Sequence, residues 1–452
     1  MTSTADTRAA VAKLQADGAS AQAVAAFEAK LAMLADPSAG MLPGDELEPL
    51  GDVPALADVE ADPGALDAVA VIKLNGGLGT SMGLQAPKST VVAKDGRTFL
   101  DVIATQVLAL RERHGVRLPL VLMNSRTTRP PSLELLGEHR GLERDDVPQD
   151  FLQGREPKLL ADSLQPAEWP ADPALEWYPP GHGELYVALA GTGTLAKLLD
   201  AGYRYAFVSN ADNLGAVADP RVATWLQAEE VPFAMEVVRG TAADRKGGHL
   251  ATREGRLVLR ETAQTPPGDA SFTDVERWRW YNTNNLWVDL RTLDALLRER
   301  PAGPELPLIV NRKTVDPTDS SSPQVLQLES AMGAAVGAID GARPIHVPRS
   351  RFVPVKTTND LLVLRSDAYT LEDDGRVTPA FDGEAPPTVT LDDTHFKHLR
   401  GFEERFAHGA PSLRAARALT VEGDVRFGAD VTVEGDVTVT GPADLADGTV
   451  LR

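Results

Sequence analysis

The chain of 452 residues contains no cysteine, and only 5% of it is aromatic. Without cysteine there is no disulfide, no thiolate nucleophile and no zinc–thiolate centre. Basic residues are scarce relative to acidic ones, 45 Lys and Arg against 65 Asp and Glu, for a formal charge of −20. That excess argues against nucleic acid and anionic membranes as partners. An anionic substrate would have to be held by locally placed Lys, Arg, metal or backbone N–H groups. No apolar run approaches the ~18 residues of a membrane span. The first residues, MTSTADTR, lack the basic start and apolar core of a signal peptide. A cytoplasmic protein is expected.

What is present is a globular composition, with 43% apolar and 24% charged residues. Three regions differ in pattern. Residues 1–65 are rich in Ala and acids, and Val11, Leu14, Val24, Phe27, Leu31 and Leu34 fit two amphipathic helices split by Gly18. A stretch rich in Pro, Gly and Asp follows, from Pro37 to Pro63, and reads as an irregular connector packed on the main body. Residues 66–365 alternate strands with helices. AVAVIKL (68–74), LPLVLMN (118–124), YAFVSN (205–210) and VPFAMEVV (231–238) are apolar strands, with helices over 99–113 and 195–202. This pattern predicts an α/β fold with a central, mainly parallel sheet covered on both faces, and ligands at the carboxyl ends of its strands. In residues 366–452 the hexapeptide TVEGDV occurs at 420–425 and again at 432–437, which suggests a C-terminal domain of β-helix-like coils.

The first strand runs into LNGGLGTSMG (74–83), with four glycines in eight positions. Such a loop can turn backbone N–H groups onto a phosphate. Its spacing fits neither the P-loop nor the dinucleotide fingerprint. Pro87 then stiffens the chain ahead of Lys88, which can aim its ammonium back at an anion in the loop. The same loop satisfies G-x-S-x-G around Ser81, but the helix that a nucleophile elbow needs does not follow. A serine hydrolase is therefore disfavoured. His395 and His398 have helical ligand spacing, yet no third ligand is evident and Lys397 and Arg400 oppose a cation.

LNGGLGTSMG followed by PKS resembles the signature of the UTP–glucose-1-phosphate uridylyltransferases of eukaryotic type. WYPPGHGELY (177–186), FVSNADNLGA (207–216), DRKGGHLA (244–251), YNTNNLW (281–287), VLQLESAMGAAVGA (325–338) and RSRFVPVKTTNDLL (349–362) match in order. The resemblance implies a nucleotidyltransferase fold, Rossmann-like, that joins UTP and glucose 1-phosphate into UDP-glucose and pyrophosphate. Such chemistry needs positioning and charge neutralisation, with no Ser or Cys nucleophile.

Residue by residue, the resemblance places Leu74, Asn75, Gly76, Gly77, Lys88 and Gly181 on the nucleotide, with the Gln153 amide reading the uracil edge. Asp212, directly after a strand, reads by itself as a cap or an Mg²⁺ ligand; the resemblance favours Mg²⁺. It also implies that Lys356 meets the phosphates opposite Lys88. His182, Asn210, Gly248, Glu261, Asn282 and Asn284 are assigned with Lys356 to the sugar phosphate. The run 282–285 alone would read as a loop, and the roles of Glu184 and Glu236 stay open. A wider sugar range, N-acetylhexosamine 1-phosphate, or a noncatalytic UDP-sugar sensor are the alternatives. Oligomeric state is not legible, and a monomer is expected.

Overall fold

The computed structural model describes residues 4–35, 40–383 and 385–452. Two N-terminal helices, α1 (Thr4–Ala16) and α2 (Ala21–Met33), stand on either side of Gly18. The Ser20 hydroxyl accepts from the Ala23 N–H at 3.1 Å and caps α2. Residues 36–39, where the expected connector begins, lie outside the described residues; from residue 40 it is irregular, apart from single 3₁₀ turns and the short strand Glu48–Pro49, which pairs with Ala251 and Thr252.

The body then alternates as expected. Strand β1 (Val69–Asn75) leads through the glycine loop to a hairpin, β2 (Val92–Lys94) and β3 (Arg97–Thr98). Helix α3 (Phe99–His114) starts on a capping box between Thr98 and Asp101 and stops at Gly115, whose φ is 65°. Strand β4 (Leu120–Asn124), the short β5 (Asp150–Leu152), helix α4 (Thr194–Asp200) and β6 (Tyr205–Asn210) follow. After them come β7 (Phe233–Arg239), β8 (His249–Arg253), the long β9 (Trp280–Asp289) and β10 (Arg343–His346).

The sheet is mixed. Its centre, β6–β1–β4–β5, is parallel. From β9 outward the pairing is antiparallel, with β6, β7 and β8 all bonded to β9, and β7 parallel to β10 at the far edge. Successive residues of the central strands feed opposite core layers. Val69, Val71, Leu120, Leu122, Tyr205 and Phe207 pack in one cluster with α3. Ala70, Ile72, Val121, Met123, Ala206 and Val208 pack in the other with α4. A strand buried on both faces reads as a continuous apolar run for this reason.

Helix α5 (Thr358–Arg365) precedes the C-terminal coils, which include β11 (Thr388–Leu391), β12 (Ala416–Glu422) and β13 (Gly435–Thr440). These three strands stack in parallel. Thr420 pairs with Thr438, Val425 with Ala443 and Thr432 with Val450, so one coil takes 18 residues. The TVEGDV copies, 12 residues apart, therefore do not lie above one another. The repeat reflects reuse of a strand–turn unit at two different sides of the coil. The coils continue the core layer of α3, through Val389, Leu419 and Val437. Among the described residues no helix is long and apolar enough to cross a membrane.

Candidate functional site

The parallel register aligns four strand ends on one rim. Asn75 is level with Asn124, Asn124 with Leu152, and Leu74 with Asn210. The residues that leave those ends, the glycine loop, Gln153 and Ala211–Asp212, line a cavity of about 350 Å³ together with Lys88, Gly181 and His182. All the residues assigned to the nucleotide, Leu74, Asn75, Gly76, Gly77, Lys88, Gln153, Gly181 and Asp212, meet there. Gly76 lets the Gln153 side chain approach closely: a Cβ on it would stand 2.2 Å from the Gln153 side-chain oxygen, which would have to shift.

Asn75 lines this cavity, but its side chain is committed inward. Its amide donates to Asn124 Oδ1 and Ser132 Oγ, both at 2.8 Å, and its oxygen accepts from the Ser89 hydroxyl. Asn75 thereby fastens the turn that presents Lys88 to the end of β1. The Lys88 ammonium lies 2.9 Å from Asp212 Oδ2. Asp212 Oδ1 is buried and without a hydrogen-bond partner among the described residues. His182 follows Gly181, which sits at φ 82° with no room for a Cβ against Ser330. The His182 Nδ1 accepts from the Met332 N–H at 2.9 Å. That assigns the ring proton to Nε2. Burial pulls the His182 pKa down to about 4, so the ring is neutral.

Asn210 also lines a second cavity of about 700 Å³. Gly248, Glu261, Asn282, Asn284 and Lys356 surround it. Of the residues assigned to the sugar phosphate, only His182 lies on the nucleotide side instead. A Cβ on Gly248 would meet the Glu261 carboxylate at 2.5 Å. Burial raises the Glu261 pKa and Lys356 opposes the rise. The run 282–285, which alone suggested a loop, lies inside β9 where the pairing with β7 shifts register. Asn284 takes φ 58° there, a conformation that Asn tolerates. Asn282 locks the bulge, donating to Asn284 Oδ1 at 2.9 Å and accepting from its N–H at 2.8 Å.

The chain carrying Lys356 is tied to the Asp212 loop. The Val355 N–H donates to Asp212 O at 3.1 Å, and the Val353 N–H to Asn213 Oδ1 at 2.9 Å. Beneath lies a buried pair that the sequence did not disclose. Arg351 Nε donates to Glu236 Oε2 at 2.8 Å, and that carboxylate also accepts from Asn285 and Trp287. Glu236 is thus an internal anchor. Lys73 under the rim donates to Ser209 Oγ and Ala216 O, both at 2.7 Å, and burial, aided by Arg351, draws its pKa down to about 7.

Glu184 is internal too, with both oxygens accepting from the Gly154 N–H beside Gln153 at 2.9 Å. Burial, then Glu156, pushes its pKa up to about 8. Lys30 of α2 reaches Glu156 Oε1 at 2.8 Å and Pro180 O at 3.2 Å, just ahead of Gly181. Helix α2 therefore braces the His182 loop. The signal was readable: Lys30 occupies the apolar stripe of Phe27, Leu31 and Leu34.

Ser81 sits in a 3₁₀ turn ending at Gly83 and not at the start of an α-helix, so no nucleophile elbow forms. His395 ends up beside Arg405, and His398 opens the next helix. Among the described residues no cluster of three His, Asp or Glu could hold a metal.

A family model described as UTP–glucose-1-phosphate uridylyltransferase matches residues 33–434. The protein of that description from Solanum tuberosum is 39% identical over 419 residues, covering 91% of this chain and 84% of that one. The one from Saccharomyces cerevisiae is 38% identical over 394 residues, covering 86% and 77%. A variant of UDP-glucose pyrophosphorylase from Leishmania major, solved in complex with UDP-glucose, superposes with a TM-score of 0.92. It is 41% identical, with 99% of this chain and 98% of that chain covered.

Proposed function

The chain belongs to the UTP–glucose-1-phosphate uridylyltransferase family, and from that premise we propose how its own residues carry the reaction. It is a nucleotidyltransferase that makes UDP-glucose and pyrophosphate from UTP and glucose 1-phosphate. The observation that supports the assignment of roles is the pair of cavities that share Asn210 in their lining, with Lys88 and Asp212 in one and Lys356 in the other.

In this reading UTP occupies the first cavity. Its uracil lies against the Gln153 amide, held over Gly76, and its phosphates lie along the glycine loop toward Lys88. The neutral His182 donates from Nε2 to a phosphate or sugar oxygen. Glucose 1-phosphate occupies the second cavity, with its hydroxyls on Asn210, Asn282, Asn284 and Glu261 and its phosphate near Lys356. A sugar-phosphate oxygen attacks the α-phosphorus; the new P–O bond forms as the bond to the β-phosphate breaks, and pyrophosphate departs with the electron pair. Lys88 and Lys356 neutralise charge on the phosphoryl oxygens from two sides.

The residues present fit one divalent cation. The buried Asp212 Oδ1 lacks a partner among the described residues, and one carboxylate plus phosphates and water is a set that Mg²⁺ accepts. Bound there, Mg²⁺ would supply Lewis-acid neutralisation of the phosphates. The acidic surface fits a cytoplasmic monomer working on free small molecules, away from nucleic acid and membranes.

The test is pyrophosphate release from UTP against a panel of sugar 1-phosphates. Glucose 1-phosphate is expected to support turnover, and N-acetylhexosamine 1-phosphates are not. Equal turnover across the panel would replace the glucose assignment with a broad one. UDP-glucose binding without pyrophosphate release would make the protein a sensor.

A further inference from the structure

Lys94 is 6% exposed on β2, where a buried ammonium requires acceptors. It finds them in backbone. Its Nζ donates to Ser366 O at 2.7 Å, Leu364 O at 3.1 Å and Arg365 O at 3.4 Å. These are carbonyls at the last turn of α5, which a helix leaves unbonded and which carry its negative dipole end. No glycine closes this helix: the chain leaves through Ser366 in an extended conformation, its hydroxyl donates to Val363 O at 2.8 Å, and the carbonyls of Leu364, Arg365 and Ser366 are capped from another segment. The tie is returned. Arg365 donates to Val92 O from Nε at 3.2 Å and from a terminal nitrogen at 2.7 Å.

The other end of α5 carries Lys356. Asp360 Oδ2 accepts from the backbone N–H groups of Lys356 and Thr357, both at 2.8 Å, in a capping box. Eight helical residues, about 12 Å, separate the two ends. On the hairpin side, β2 follows almost at once on the turn Lys88–Thr90. Lys88 and Lys356, far apart in sequence, are thus attached to the two sides of one buried contact.

We propose that Lys94 and Arg365 are positioning residues, a reciprocal latch that sets the spacing of Lys88 and Lys356 across the reacting phosphates. Neither touches substrate. The inference rests on reading Lys88 and Lys356 as the phosphate clamp. Two charges that act on one pentacovalent phosphorus have to be placed closely, because a displacement of about 1 Å can cost ~10²-fold in rate. The hydrogen bonds of the latch supply that placement from outside the cavities.

The experiment uses the full chain with Lys94→Met and Arg365→Met, measuring kcat, UTP KM and Tm. Each is expected to lower kcat about tenfold or more while UTP KM moves less than twofold, the signature of a lost transition-state interaction. Lys94→Arg should recover most of kcat. In a Lys356→Ala background, Lys94→Met should cost less than a further twofold, since the latch acts through Lys356. Arg365→Met, at the less deeply buried end, serves if Lys94→Met does not fold. Normal kcat with only a lowered Tm, or a loss that multiplies in full with Lys356→Ala, overturns the latch while leaving the clamp. Normal kcat in Lys356→Ala alone overturns the clamp reading, and the latch falls with it.

Discussion

The ammonium of Lys88 stands 2.9 Å from one oxygen of Asp212, while the other oxygen of that carboxylate is buried with no partner among the described residues. The pair is polarised: one oxygen is neutralised and the other is left without a partner, in a residue that lines the cavity proposed for UTP. Lys88→Ala should lower turnover by roughly 10²–10³, the scale of one preorganised charge-stabilising group. Its effect on Tm should be small, because the side chain lies at the cavity edge. Turnover within a few-fold of the parent would remove Lys88 from the clamp.

Asp212→Asn keeps the shape and removes the charge. The Mg²⁺ concentration for half-maximal activity should rise at least tenfold, with saturating Mg²⁺ restoring part of the rate. Activity that resists a chelator in metal-free buffer would sink the Asp212 assignment. Zn²⁺ should substitute poorly at a site offering only oxygen.

His249 lies beside Gly248 in an aromatic box, stacked on Trp278 with ring centroids 4.8 Å apart, and neither ring nitrogen has a partner among the described residues. Burial, with Arg260 and Arg277 adding repulsion, pulls its pKa down to about 3. The sign of the linkage follows. The unfolded chain takes up a proton near pH 6.5 and the folded one does not until about 3, so stability present above pH 6.5 is lost as the pH falls. His249→Phe removes both this loss and an unpaired imidazole. Its Tm should exceed the parent's at pH 5 by more than at pH 8. An equal difference at both values would refute the linkage.

How much of this was legible follows from what kind of order each residue reports. Val69 to Asn75 and Tyr205 to Asn210 announced buried strands because alternate side chains serve two core layers. The rim residues Gly76, Lys88 and Asp212 were readable as strand-end chemistry. The antiparallel half was not, since Asn282–Asn285 look like a loop until β7 and the Glu236–Arg351 pair give them partners. The resemblance places Asn75 on the nucleotide, and only the positions of Asn124, Ser132 and Ser89 show that its side chain is turned inward. Lys94 carries no local mark at all, as its acceptors lie about 270 residues away. The 18-residue coil was hidden by a 12-residue repeat that falls on different sides of it.

Two glycines separate the two substrates experimentally. At Gly76 an added methyl would stand 2.2 Å from the Gln153 side-chain oxygen, and at Gly248 it would stand 2.5 Å from the Glu261 carboxylate. Neither glycine has a positive φ, so alanine fits the backbone at both and the cost falls on the side chain opposite. Gly76→Ala must push the Gln153 amide off its position over the loop. UTP KM should rise about tenfold or more, with glucose 1-phosphate KM nearly unchanged. Gly248→Ala must displace Glu261, on the side of Lys356, and should raise glucose 1-phosphate KM with UTP KM nearly unchanged. The crossed pattern is the discriminating result, because general damage would raise both constants in both variants. If Gly76→Ala weakened glucose 1-phosphate as much as UTP, the first cavity would not be the nucleotide's alone. The division at Asn210 would then have to be redrawn.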